Sequence, residues 1–198
     1  MGYDHKNRIL ALDNKIITDV FIAPEAVDND QIKTATAIQA GASWVDVTWE
    51  SGDLTAQPNY ARNVTLTFVD ADTSITAGTV TITGTDLRGN TVSEIITGIA
   101  TASSLTYSGD IAFATITSIV LSDFVGATQT NDTLKIGNGK IFGLSNELDD
   151  SNDVTKVIEN ETDSTTYTVS TTYNTIEFAA DPDGSKNYAV YYKSKTVW

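Results

Sequence analysis

The segment from Arg62 to Thr97, RNVTLTFVDADTSITAGTVTITGTDLRGNTVSEIIT, constrains the fold more than any other part of the chain. Val64, Leu66 and Phe68 fall on one side of a two-residue period, and Thr65, Thr67 and Val69 on the other. After an Ala-Gly break, Val80 and Ile82 alternate with Thr79, Thr81, Thr83 and Thr85. Successive side chains of a strand point to opposite faces, so the pattern sets an apolar face on a core and a hydroxyl face toward water or a partner. Threonine is β-branched and stiff at χ1, which suits it to a polar sheet face. No His, Cys or Lys interrupts these strands, so the sequence reads as a scaffold whose function lies in its surfaces.

Composition narrows the classes further. At 198 residues the chain buries roughly 70% of its unfolded surface and needs no covalent staples. Cys is absent, which removes disulfides, thiolate metal sites and thiol nucleophiles together. The start, MGYDHKNRILALDNK, is charged at once and has no apolar stretch of signal-peptide type; no run reaches the length of a membrane span. Twelve basic residues against 26 acidic ones give a formal net charge of -14. Nucleic-acid binding needs cations to neutralise phosphates, and between Thr34 and Leu134 only Arg62 and Arg88 are basic. The expectation is therefore no nucleic acid and no membrane among the partners.

The chain divides into an extended N-terminal arm with one or two strands (1–42), a central sandwich (43–143) and a smaller C-terminal β segment (144–198). In the arm, Ile9 to Pro24 is apolar without a clean period, and Ile32 to Ala42 fits a short helix or a strand ended by Gly41. An arm that docks on a neighbour predicts that removing residues 1–20 leaves the sandwich folded while binding to that neighbour falls sharply. From Trp44 onward, strand signals recur at sandwich or barrel spacing. Val45, Val47 and Trp49 alternate; Asp86–Asn90 reads as a hairpin loop; Ile111 to Phe124 is long enough for two short strands or one bent one. Gly137-Asn138-Gly139 between TLKI and KIF reads as a hairpin turn, since Asn-Gly between apolar runs is the strongest short hairpin signal. Beyond the acidic connector NELDDSND, strands are expected around Val154–Ile158, Tyr167–Val169, Ile176–Phe178 and Tyr188–Tyr192. The last two are read as a hairpin across Asp181-Pro-Asp-Gly184.

Three pieces resemble virion proteins of tailed bacteriophages. PNYARNVTLTF followed by AGTVTITGTDLRGNTVSEIIT is similar to a "P-x-x-x-R-N … G-x-V-x-x-x-G-x-D-x-x-G-N-x-x-x-E" stretch of such proteins. AFATITSIVLSDFVGATQTNDTLKIG resembles the segment that follows it there. TYTVSTTYNTIEFAADPDGSKNYAVYYK looks like the "T-I-x-F-x-x-x-P-x-x-G" strand–turn–strand unit of phage structural modules. The resemblance is greatest to capsid decoration, or cement, proteins, with head-fibre and tail proteins close behind. It implies a β-sandwich, repeated subunits (a homotrimer on a three-fold axis), the major capsid protein as partner, and a place on the virion surface after synthesis in the host cytoplasm. It implies no catalysis, and it carries over no functional residues because the matched positions are structural. A tail or head-fibre module binding host-surface glycans is the alternative.

Read residue by residue, the chemistry agrees. His5 is the only histidine, so a Ser-His-Asp or Cys-His arrangement would hang on the N-terminal arm. Asp70, Asp72 and Ser74 sit at alternate positions as in a calcium loop, but Ile75 and Thr81 occupy the positions that require Gly and Glu. With Asp149, Asp150, Asp153, Asp181 and Asp183, they read as turn carboxylates. No catalytic residue, metal or cofactor is expected. The candidate partner-binding residues are the C-terminal aromatics Tyr188, Tyr191, Tyr192 and Trp198, since Tyr and Trp are enriched in interface hot spots. Tyr191 lies on the opposite strand face from Tyr188 and Tyr192, so one face is core and the other meets a partner. Trp44 and Trp49 likewise oppose each other, and only one of them needs to be core. The expected fold is all-β, an antiparallel β-sandwich with an extended N-terminal arm and a smaller C-terminal β segment.

Overall fold

A computed structural model describes residues 16–38, 46–100, 104–126 and 132–194. The strands, in chain order, begin with β1 (Ile16–Ile22), β2 (Asp28–Ala37), β3 (Val47–Glu50), β4 (Arg62–Val69) and β5 (Ala77–Thr85). They continue with β6 (Thr91–Thr97), β7 (Ser104–Ser108), β8 (Thr115–Val125), β9 (Thr133–Gly143) and β10 (Val154–Glu159). The last are β11 (Thr162–Ser164), β12 (Tyr167–Ser170), β13 (Thr175–Phe178) and β14 (Asn187–Lys193). Every strand pairing is antiparallel, and the only helices among the described residues are single 3₁₀ turns at Ser51–Asp53 and Ser151–Asp153. The expected all-β sandwich class is what forms.

Three sheets build two cores. The sheet β12-β13-β9-β4-β7, with β2 also on β9, is common to both. The sheet β3-β8-β5-β6 covers the first core, where Val64, Leu66 and Phe68 of β4 meet Val80, Ile82, Ile119, Leu121 and Trp49. The sheet β1-β14-β10-β11 covers the second, where Phe142 and Phe178 meet Phe21, Val157, Tyr188 and Tyr192. Leu134, Ile136 and Phe142 share one parity along β9, so both cores rest on the same face of the common sheet. Arg62 and Asn138, both fully buried, stand between them.

The segment read as an arm supplies one described strand to each half. β1 pairs with β14, with Phe21 in the second core; β2 pairs with β9, with Ile32 in the first. Ile32 onward is thus strand rather than helix. Cutting after Val20 would remove most of β1, so that truncation damages the second core instead of trimming a free tail.

The expected Gly137-Asn138-Gly139 hairpin does not form: β9 runs unbroken through it. These glycines serve close approach rather than a turn. A Cβ on Gly137 would collide with the Asp28 carbonyl, and one on Gly139 with the Asn63 side chain. The expected hairpin between β13 and β14 is also absent. β13 pairs with β12 and β9, whereas β14 pairs with β1 and β10. The turn at Asp181–Gly184 carries the chain from one sheet to the other, so Phe178 and Tyr188 stack face to face across the core, centroids 4.3 Å apart.

The Thr faces divide. Thr79, Thr81, Thr83 and Thr85 of β5 are half-exposed, as expected. Thr65 and Thr67 of β4 are instead buried, Thr65 beside Ser108 of β7 and Gly137 of β9, and Thr67 beside Thr106 of β7 and Lys135 of β9; Thr67 Oγ1 meets Thr106 Oγ1 at 2.8 Å. The segment after Phe113 is one strand, β8, with register shifts against β5.

Candidate partner interface

β14 alternates strictly, with Tyr188, Val190 and Tyr192 turned inward and Ala189, Tyr191 and Lys193 outward. Tyr188 and Tyr192 are 1% and 0% exposed, which removes both from a partner surface. The reason is burial on two levels. Tyr188 stacks on Phe178 and donates its hydroxyl to the Ala180 carbonyl over 3.2 Å. Tyr192 donates to Asp19 Oδ2 over 2.8 Å and accepts from the Asn146 N–H over 3.0 Å. Loss of water pushes both phenols up to about 12. Tyr191 stays half-exposed on the outer face. Trp198 and Trp44 lie outside the described residues; of the opposed pair of tryptophans, Trp49 is the core member, 7% exposed.

The register places Tyr191 beside Thr18 of β1 and Lys156 of β10. Ala189 lies between Val20 and Ile158, and Asn187 beside Ile22. This outer face therefore joins Ile16, Val20 and Ile22, which are 49%, 53% and 67% exposed, to Tyr191, Ala189 and Ile158. β1 also ends its sheet, so among the described residues one backbone edge of an apolar strand has no neighbour in the sheet. Sequence alternation in IITDVFI could have found the patch: Phe21 and Ile17 go in, so Ile16, Val20 and Ile22 must go out. The apolar character of both parities hid it.

Besides its ladder with β14, β1 is tied from its inner face by the Asp19 carboxylate. Asp19 Oδ2 accepts from the Ser145 N–H (2.8 Å), and Oδ1 from the Ser145 hydroxyl (2.6 Å), in addition to the Tyr192 bond. The patch thus sits on a strand held from behind, which lowers the entropy lost when a partner covers it.

The acidic groups singled out in the sequence act locally. Asp70 is buried and accepts from the N–H groups of Ser74 (3.2 Å) and Ile75 (2.9 Å). Asp132 accepts from Ala71 (2.9 Å), and one oxygen each of Asp70, Asp72 and Asp132 lie within 4.8 Å of one another. Asp150 and Asp153 cap the 3₁₀ turn reciprocally. Asp183 accepts from the Ser185 N–H and hydroxyl and the Lys186 N–H, which holds its carboxyl down to about 2. His5 lies outside the described residues. No described helix is long and apolar enough to cross a membrane.

No protein-family model matches the sequence, and no curated protein matches it. A solved structure of the infectious bursal disease virus Gx strain is similar at 13% identity and a TM-score of 0.23, over 93% of this chain and 38% of that one. This chain spans well under half the length of that protein, and a likeness so low establishes no shared fold.

Proposed function

We propose that the chain is a structural virion protein: a capsid decoration protein that binds the outside of a tailed-phage head and stabilises the shell by bridging capsomers, without catalysis. The observation that carries this reading is the outer face of β1, β14 and β10. It is an apolar surface of Ile16, Val20, Ile22, Ile158 and Tyr191 on a chain whose net charge is -14. Such a surface loses water on docking, and Tyr supplies the kind of anchor that dominates interface energies. The phage-like segments of the sequence support the same assignment. Self-association as a trimer would repeat the contact around a three-fold axis, with many weak contacts acting together.

The test is thermal rupture of the phage heads with and without bound protein. A ligand that binds only the intact shell raises its rupture temperature by mass action. Coincident rupture curves, with no co-sedimentation of protein and heads, would rule the reading out. Light scattering addresses the trimer: a species that stays monomeric on the shell removes that part.

A further inference from the structure

Two clefts of about 190 Å³ and about 380 Å³ meet at Tyr173. Small-molecule sites occupy roughly 300–1,000 Å³, a range the larger cleft reaches by itself and the smaller one extends. Tyr173 is 45% exposed and stands on the turn between β12 and β13, forming a wall of both. The smaller cleft lies on the outer face of the common sheet, among Asp110, Thr168, Ser170 and Glu177. The larger runs between the β5–β6 turn and the connector after β9, with Asp86, Arg88, Glu147 and Thr172 at its walls.

The walls are held by bonds that leave donors and acceptors unused. Arg88 donates through Nε and Nη2 to Asp86 (3.1 and 3.0 Å) and through Nη1 to Glu147 (2.5 Å). Each terminal nitrogen keeps a second N–H for a ligand. Glu94 accepts from the N–H groups of Asp110 (2.5 Å) and Ile111 (3.4 Å), fixing the loop whose first residue lines one cleft and whose second lines the other. Behind Tyr173, the buried Asn174 accepts from Leu148 N–H (3.1 Å) and donates to the Leu144 carbonyl (3.0 Å). The Tyr173 N–H donates to Ser170 Oγ over 3.2 Å.

We infer that these paired clefts bind a neutral saccharide, with Tyr173 as the aromatic wall between two adjacent sugar units. The chemistry selects the class. Carboxylates accept from, and hydroxyls both accept from and donate to, vicinal hydroxyl groups, and an exposed phenol ring offers a flat apolar face to the C–H side of a sugar ring. Asp86, Asp110, Glu147 and Glu177 outnumber Arg88 and Lys140, the latter bonded to Glu177 at 2.8 Å, so an anionic ligand is repelled. The site does not depend on shell docking.

The experiment is a glycan array carrying neutral hexose and N-acetylhexosamine oligosaccharides beside sialylated and uronate-containing ones, probed with the free full chain and with Tyr173→Ala and Asp110→Ala. Both substituted side chains are exposed, and circular dichroism with thermal melting confirms that the variants fold. Retention on neutral oligosaccharides, weakened about tenfold or more by Tyr173→Ala, as expected for an aromatic anchor, supports the site. Absence of retention on every neutral oligosaccharide overturns it, as does preference for acidic glycans or equal retention by Tyr173→Ala. None of these outcomes bears on whether the chain stabilises heads, which the rupture assay reads separately.

Discussion

Tyr192 hands its hydroxyl hydrogen to Asp19 over 2.8 Å, so that residues 173 positions apart in the chain lock the first described strand to the last. Asp19 also takes both Ser145 donors, which makes this carboxylate the junction of β1, β14 and the loop leaving β9. Asp19→Ala strands these donors in a partly buried site. The expected cost is about 2–3 kcal/mol, the range for losing hydrogen bonds to a charged acceptor, while Tyr192→Phe costs about 1 kcal/mol. Urea unfolding of the two variants and the double variant measures both terms and their coupling. Strict additivity would mean that the residues do not act through one bond.

Arg62 is a buried cation held by carbonyls. Its Nε and Nη2 donate to the Gly139 carbonyl and Nη1 donates to the Glu25 carbonyl over 2.7 Å, with the guanidinium 5.1 Å from the Phe142 ring centroid. Burial pulls its pKa down to about 10, with Glu25 opposing that shift. Because the planar fork fits two carbonyls at once, Lys cannot replace it. Arg62→Ala and Arg62→Lys should each lose about 3 kcal/mol or more, since removing a partner from a buried polar set leaves the rest unsatisfied. Denaturant midpoints check this, and a Lys variant with wild-type stability would refute the fork argument.

Gly137 and the turn after β10 give opposite expectations at two Asn-containing sites. Gly137→Ala forces a Cβ into the Asp28 backbone and should cost about 1–3 kcal/mol, the usual range for overpacking. Gly52→Ala, with nothing within 4 Å, should stay within about 0.5 kcal/mol of wild type. The actual two-residue hairpin is Asn160-Glu161, where both residues have positive φ, 49° and 66°. Glu161→Gly should therefore stabilise by about 0.5–1 kcal/mol, as it removes a left-handed non-glycine residue. Thermal melts of the three variants decide the matter.

These sites also mark where sequence reasoning reached and where it stopped. Alternation in Arg62–Thr85 correctly separated Val64, Leu66, Phe68, Val80 and Ile82 from the threonines, because a two-residue period is local information. The fate of Thr65 and Thr67 was not local: it depends on which residues of β7 and β9 stand beside them, Ser108, Thr106, Gly137 and Lys135, which only the topology decides. Asn138-Gly139 carries the composition of a turn, yet its glycine answers a steric demand from Asn63, distant in sequence. For the C-terminal aromatics, periodicity correctly opposed Tyr191 to Tyr188 and Tyr192 but could not tell which face was core. One of the two partners of β14 is β1, from the other end of the chain. The Tyr173 clefts were invisible for the same reason, since their walls come from four loops and several strands distant in sequence.

Alkaline unfolding follows from the buried phenols. Tyr188 and Tyr192 are raised from 10.0 to about 12, first by desolvation, with neighbouring carboxylates adding to the shift. A folded pKa above the unfolded one means that the contribution is intact below pH 10 and is lost as pH rises toward 12. Melting temperature should therefore fall across that window, and Tyr192→Phe should flatten part of the fall. The check is a set of melts from pH 9 to pH 12, read by circular dichroism. An unchanged profile in the Phe variant would assign the alkaline loss to other groups.

The apolar patch yields the sharpest separation between folding and binding. Val20 and Ile22 point outward from a strand whose other face, through Phe21 and Asp19, holds the second core. Val20→Asp and Ile22→Asp exchange exposed methyl groups for exposed carboxylates, so stability should move by no more than about 0.5–1 kcal/mol. On a docking surface the same charges must lose water without a partner, and affinity for phage heads should fall about tenfold or more. Thr81→Asp, on the hydroxyl face of the other covering sheet, serves as the matched control and should bind as wild type. Co-sedimentation with heads at a fixed salt concentration reads the three variants side by side. If Thr81→Asp fails while Val20→Asp and Ile22→Asp bind normally, the shell contact belongs to the threonine face and not to β1.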